Sequence, residues 1–239
     1  MTPHTASEPS VSATGSAQGP PIPAPGLVRA GGVAAQIVAG TYVVGFLAMV
    51  VYLVPRGFAS SVEDPSASLG FLVDHQTELA VWYLVLYLLG GVAMAVVSLG
   101  VGERLRAAPA LARVSAALGL IWSGLLMASG SVALVGQHAA VGLHAQNPDL
   151  ALSTWVSSSV VQNALGGGIE VAGAAWAAVV GYAVLRTRAV SAALGGLAIG
   201  LALVGMATVV PGASDVTTSI FGLGFIVWFT WLGIVLARR

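Results

Sequence analysis

The chain has 239 residues, 57% hydrophobic and only 8% charged, where a soluble domain carries roughly a quarter charged residues. Its formal net charge is zero and every basic residue is Arg, so no basic stripe exists for nucleic acid, which is excluded as a partner. Cysteine is absent, which excludes disulfides, thiolate metal sites and cysteine nucleophiles.

Residues 1–30 are rich in Pro, Ser, Thr, Ala and Gly, too poor in large apolar side chains to pack a core, and are expected to form a disordered cytoplasmic tail. Arg29 is the only early cation and the apolar run after it is a full span long, so no cleaved leader is expected. From there, runs long enough for a hydrocarbon core of about 30 Å fall at about 33–54, 79–101, 114–136, 156–185, 189–210 and 217–236. None alternates with period two, and isolated strands leave their backbone unsatisfied in lipid. The predicted fold is therefore all-α: a polytopic membrane bundle of six helices over residues 31–239.

Arg29, Arg104, Arg106, Arg113, Arg186, Arg188, Arg238 and Arg239 fall on one side of this layout, and only Arg56 falls on the other. The positive-inside rule assigns the Arg-rich side, and with it both termini, to the cytoplasm. An odd number of spans would scramble the segregation.

The first outer loop carries Asp64-Pro65, an N-cap followed by Pro at the first helical position, and Leu69, Leu72 and Val73 offer one apolar face for a short interfacial helix. The second, about 137–155, ends at Trp155, expected as a headgroup anchor. The third is the turn Pro211-Gly212-Ala213-Ser214-Asp215. No internal repeat is visible to support an inverted-repeat transporter.

Glu170, in the fourth span, is the only ionisable side chain deep inside any run. A charge there costs about 2.5 to 3.5 kcal/mol on insertion scales, so such residues face a bundle interior or a wet cavity. Asn163 lies seven residues earlier and Ser159 four before that, so a continuous helix would align them in a polar stripe descending to Glu170. Gly166-Gly167-Gly168 between them allows close backbone approach or a bend that frees a carbonyl for the carboxyl. One reading makes Glu170 a hydrogen-bonded packing group; the other gives it proton handling, ligand binding or acid catalysis, with Asn163 and Ser159 as co-ligands.

A weaker cluster joins Asp74, His75 and Glu78 at the start of the second span with His138 and His144 of the next outer loop. Their donors suit a divalent metal, but no tight metal signature is present, and a solvated helix end explains them as well. No metal and no cofactor is expected. Gly196-x-x-x-Gly200 and Gly205 suit helix packing within the chain, or a homodimer or other membrane partner. Phe221, Phe225 and Trp228 form one stripe, read as aromatic packing or as a wall for a flat lipophilic ligand. Ser123, Ser129 and Ser131 lack a nucleophile elbow and are expected to hydrogen-bond between helices.

Asn-Ala-Leu-Gly-Gly-Gly-Ile-Glu-Val-Ala-Gly at 163–173 and the closing Phe221 to Leu236 segment resemble a family of bacterial six-span proteins classed as a domain of unknown function. The resemblance covers about 33–236 and implies the six-helix layout and the fourth-span carboxylate, matched here by Glu170. It implies no activity. The absence of Lys and the wealth of Ala, Gly and Val agree with a high-GC bacterial source.

Together these features predict a multi-pass protein of a bacterial inner membrane, with the bilayer as its partner, that binds or passes a small or lipophilic molecule at Glu170. The alternatives are a membrane enzyme with Glu170 as general acid, which needs a second catalytic group, and a structural or partner-binding subunit, which needs no cavity.

Overall fold

The computed structural model describes residues 25–58, 64–210, 212 and 214–238. Among these the fold is all-α, with no strand. Helix α1 (Pro25–Leu47) runs on through a π-helical stretch, Ala48–Leu53, and a 3₁₀ turn, Val54–Arg56. After α2 (Pro65–Asp74), α3 runs from Gln76 to Arg104 with a π stretch at Leu84–Leu89. Helices α4 (Pro109–His144) and α5 (Pro148–Gln162) follow. A further π turn, Asn163–Gly167, then leads to α6 (Val171–Thr187), α7 (Ala192–Ala207) and α8 (Ser214–Ala237).

Among the described residues five helical stretches are long and apolar enough to cross a membrane: Pro25–Arg56, Gln76–Arg104, Pro109–His144, Pro148–Thr187 and Val216–Ala237. The apolar helix Ala192–Ala207 is shorter. At 1.5 Å per residue it spans about 24 Å.

Several expectations are corrected. Residues 25–30, assigned to the tail, already belong to α1, because Pro25 suits a first helical turn and Val28 packs on the core; residues 1–24 lie outside the described ones. The loop expected at 137–155 is helical except around 145–147, since α4 continues to His144 and α5 starts at Pro148 behind an Asn147 cap. Trp155 is buried, its Nε1 donating to Ser68 Oγ at 2.9 Å. The fourth run is two helices rather than one. Of the third-loop turn, Pro211 and Ala213 lie outside the described residues.

The helices close a ring in which α4 packs on α3, α3 on α1, α1 on α8, α8 on α7, α7 on α6 and α6 on α4, with α5 alongside α4. At the Arg-rich end close approach depends on glycine: a Cβ on Gly32 would stand 2.7 Å from the Ala237 backbone nitrogen, and one on Gly31 2.9 Å from Gly100 Cα. Gly196 and Gly200 contribute nothing of this kind, with no neighbour within 4 Å of a Cβ, whereas Gly195 and Gly205 face inward. Ser123 and Ser129 do bond between helices, to Gly91 O (2.7 Å) and Gln162 O (2.9 Å); Ser131 bonds Met127 O of its own helix.

Two apolar clusters result. The larger holds Trp122, Trp176, Phe221, Phe225, Trp228 and Phe229, all at most 1% exposed. Their rings form one continuous set of contacts, from 4.6 Å between the Phe221 and Phe225 centroids to 6.4 Å between Trp122 and Phe229. The stripe of α8 is thus core packing that Trp122 and Trp176 complete. The smaller cluster lies at the other end, where α4, about 54 Å long, outreaches a hydrocarbon core. There Asp64 caps α2 by accepting from Ser66 N at 2.8 Å, and Leu69, Phe71 and Leu72 pack against Leu53, Leu79, Ala140 and Trp155.

Candidate functional site

Between these two clusters the bundle loosens. A cavity of about 160 Å³ is lined by Tyr42, Gly45, Phe46 and Met49 of α1, Trp82, Leu86 and Tyr87 of α3, Leu126 of α4, Gly166, Gly167 and Glu170 of the α5–α6 break, and Thr218 and Gly222 of α8. Tyr42, Tyr87 and Leu126 belong to the margin of the aromatic cluster, and Met49 and Trp82 to that of the other. Every π stretch of the fold supplies lining residues: Met49 from the first, Leu86 and Tyr87 from the second, Gly166 and Gly167 from the third. A π turn inserts a residue into the helical ladder and pushes backbone outward, and such turns gather at functional sites.

The break between α5 and α6 is held by side chains. Gly166 has φ 127°, a conformation that a residue with a Cβ resists, and this turns the chain out of its helix. A Cβ on Gly167 would collide with the Gln162 amide. Gly168 N and Ile169 N both donate to Asn163 O at 3.3 Å. The freed carbonyl of Gly168 accepts from Thr218 Oγ1 at 2.9 Å, and Glu170 N donates to Thr208 Oγ1 at 3.0 Å. Non-helical backbone at membrane depth is tolerated where protein buries it or where it lines a cavity, and both hold here. On the α5 side, Ser129 Oγ donates to Gln162 O while Gln162 Nε2 donates back to Ser129 Oγ at 3.1 Å, which clamps the last turn before the break to α4.

Glu170 caps α6 only through its backbone: its carbonyl accepts from Ala174 N at 2.8 Å and its side chain makes no capping bond. The residue is 8% exposed, yet its buried Oε2 has no hydrogen-bond partner. A buried oxygen left in this state costs about 1–3 kcal/mol, which is recovered when a donor arrives. Tyr42 and Tyr87 line the same cavity as the carboxyl. Apart from Thr218, whose hydroxyl is taken up by Gly168 O, the remaining lining is glycine, apolar or aromatic, with Trp82 fixed by Nε1 donating to Gly45 O at 3.1 Å.

Of the stripe expected to lead to Glu170, neither Asn163 nor Ser159 reaches the cavity; Asn163 is exposed and Ser159 half-buried. Their helical phase does not carry past Gly166. The inward polar residue of α5 is instead Gln162, 5% exposed. The carbonyl that the glycines free is taken by Thr218 rather than by the carboxyl. Sequence reading passed over Tyr42, Trp82 and Tyr87, whose signal was a polar aromatic deep in an apolar run.

The weaker cluster stays dispersed. His75 Nδ1 stands 4.0 Å from Glu78 Oε1, which accepts from Tyr52 at 3.1 Å, while Asp74 and His138 are exposed. Among the described residues no three His, Asp or Glu gather as metal ligands. Compared with known proteins, the chain matches no family model, no curated protein and no solved structure.

Proposed function

We propose that this is a six-span protein of a bacterial inner membrane, with both termini cytoplasmic, whose cavity at Glu170 binds a small lipophilic molecule. The observation that carries this reading is the unpartnered, buried carboxyl oxygen of Glu170 at a helix break that opens on an apolar cavity. Such a combination of an apolar wall and a few convergent polar groups is what small-molecule sites offer, and an intramembrane carboxyl is costly without a use.

The six-span layout is supported by turns that prolong α7 to Val210, which donates to Ala207 O at 3.0 Å. The cytoplasmic assignment is supported by the gathering of Arg29, Arg104, Arg186 and Arg238 around the glycine-packed end, where Arg104 donates to Ala189 O. Membership of the bacterial six-span family rests on the resemblance at 163–173 and 221–236. On α4 and α6 the buried indole, Trp122 or Trp176, stands between the cavity residue, Leu126 or Glu170, and this Arg-rich end, which favours binding over free passage. A second reading, general-acid chemistry by Glu170, is favoured by the Tyr42 and Tyr87 hydroxyls in the same cavity.

The test is to extract the protein with its native lipids and compare organic extracts of wild type and Met49→Trp by mass spectrometry. Met49 lines the cavity, so the indole fills it. A small molecule carried by wild type and missing from a Met49→Trp protein of equal thermal stability is the expected result; identical extracts would sink the binding reading.

A further inference from the structure

We infer that the molecule recognised here is an amphiphilic amine: a compact cationic headgroup against the Glu170 carboxylate, with its apolar body leaving through the open side of the cavity into lipid. This rests on the binding reading above and names its ligand class.

Size comes first. At about 160 Å³ the cavity is close to the roughly 150 Å³ void that takes up benzene in another protein, so it holds a headgroup or one ring and not a whole amphiphile. Tyr42, Phe46, Met49, Trp82, Leu86 and Tyr87 are only half-buried, so the cavity is not sealed. Beside them on α1, Val43, Val50 and Val51 are 38%, 63% and 68% exposed and give a tail an apolar surface to follow.

Charge comes second. No Arg or His lines the cavity, and its only charge-bearing group is the carboxyl whose Oε2 is buried without a donor. An anion has no counter-charge here. A neutral alcohol satisfies the oxygen but leaves the carboxylate charge uncompensated. Four of the lining residues, Tyr42, Phe46, Trp82 and Tyr87, are aromatic. Aromatic faces attract a cation within about 6 Å, the more strongly once it is desolvated. An ammonium group engages both the carboxylate and the rings, and only a cation does.

The experiment uses N,N-dimethylbenzylamine, at pH 7 an ammonium with one N–H to donate, and its uncharged carbon isostere isobutylbenzene as probes on the full chain in zwitterionic lipid nanodiscs, read by thermal midpoint and tryptophan fluorescence. The expected result is a saturable rise of the wild-type midpoint with the ammonium, at least tenfold weaker binding in Glu170→Gln, partial binding in Glu170→Asp, and a several-fold loss in Phe46→Leu. Equal ammonium binding by wild type and Glu170→Gln, or an isostere bound as tightly as the ammonium, overturns the cationic class while leaving a ligand pocket in place. No saturable response of wild type to either probe overturns the amine proposal, and if native extracts of wild type and Met49→Trp also agree, the pocket reading falls with it.

Discussion

The same helices build two unlike layers. Around Trp122 and Trp176 the bundle is filled: six aromatic rings touch one another, and α6, α7 and α8 are regular helix. One layer further along, α1 and α3 pass into π turns, α5 and α6 part company, and a cavity opens around a carboxyl. Only Trp228 of the three core indoles has a partner, Leu194 O at 3.0 Å, while the Trp122 and Trp176 nitrogens go without. In the aromatic layer polar groups are given up for packing. In the cavity layer packing is given up around one polar group, and threonines repair the backbone. On the proposed reading, stability and ligand binding fall to separate layers.

The difference predicts a graded response to substitution. Trp122→Ala removes the ring at the centre of the filled layer and should lower stability by about 3–5 kcal/mol, read from the unfolding midpoint in detergent; a loss under about 1 kcal/mol would mean that this layer is not close-packed. Gly166→Ala should cost about 1–3 kcal/mol, because a Cβ resists φ 127° although Leu126 Cδ2, the nearest atom, leaves room at 4.0 Å. If the melt is unchanged, the helix is not broken there. Thr218→Val withdraws the donor to Gly168 O and should cost about 0.5–1.5 kcal/mol, with faster hydrogen exchange at Gly168 and Ile169 as the local readout. Asn163→Ala, on the exposed side of the π turn, should stay within about 0.5 kcal/mol in stability and leave probe binding intact. Loss of binding in that variant would restore the polar stripe as the path to Glu170.

Hydropathy alone exposed the helices, because a 20-residue apolar run has one solution in lipid. The Asp64-Pro65 start of α2 was legible for an equally local reason, the cap chemistry. Glu170 stood out by cost. Its surroundings did not, since projecting Asn163 and Ser159 onto one face assumes a constant 100° per residue, and that constancy ends at Gly166. Gln162, one position away from Asn163, is the residue that turns inward. The π turns of α1 and α3 left no mark in the residues themselves: Ala48–Leu53 and Leu84–Leu89 read as ordinary apolar runs. Trp155 read as a surface anchor because its partner, Ser68, is 87 residues away in sequence.

Since the chain has no cysteine of its own, single cysteines report each layer cleanly. The decisive measurement compares the rate at which a small lipophilic maleimide labels Thr218→Cys with the rate for Phe225→Cys in nanodiscs, two positions on α8 that face the cavity and the filled layer respectively. The account predicts labelling at 218 at least tenfold faster than at 225, and slowed by N,N-dimethylbenzylamine. Equal rates at the two positions would contradict it.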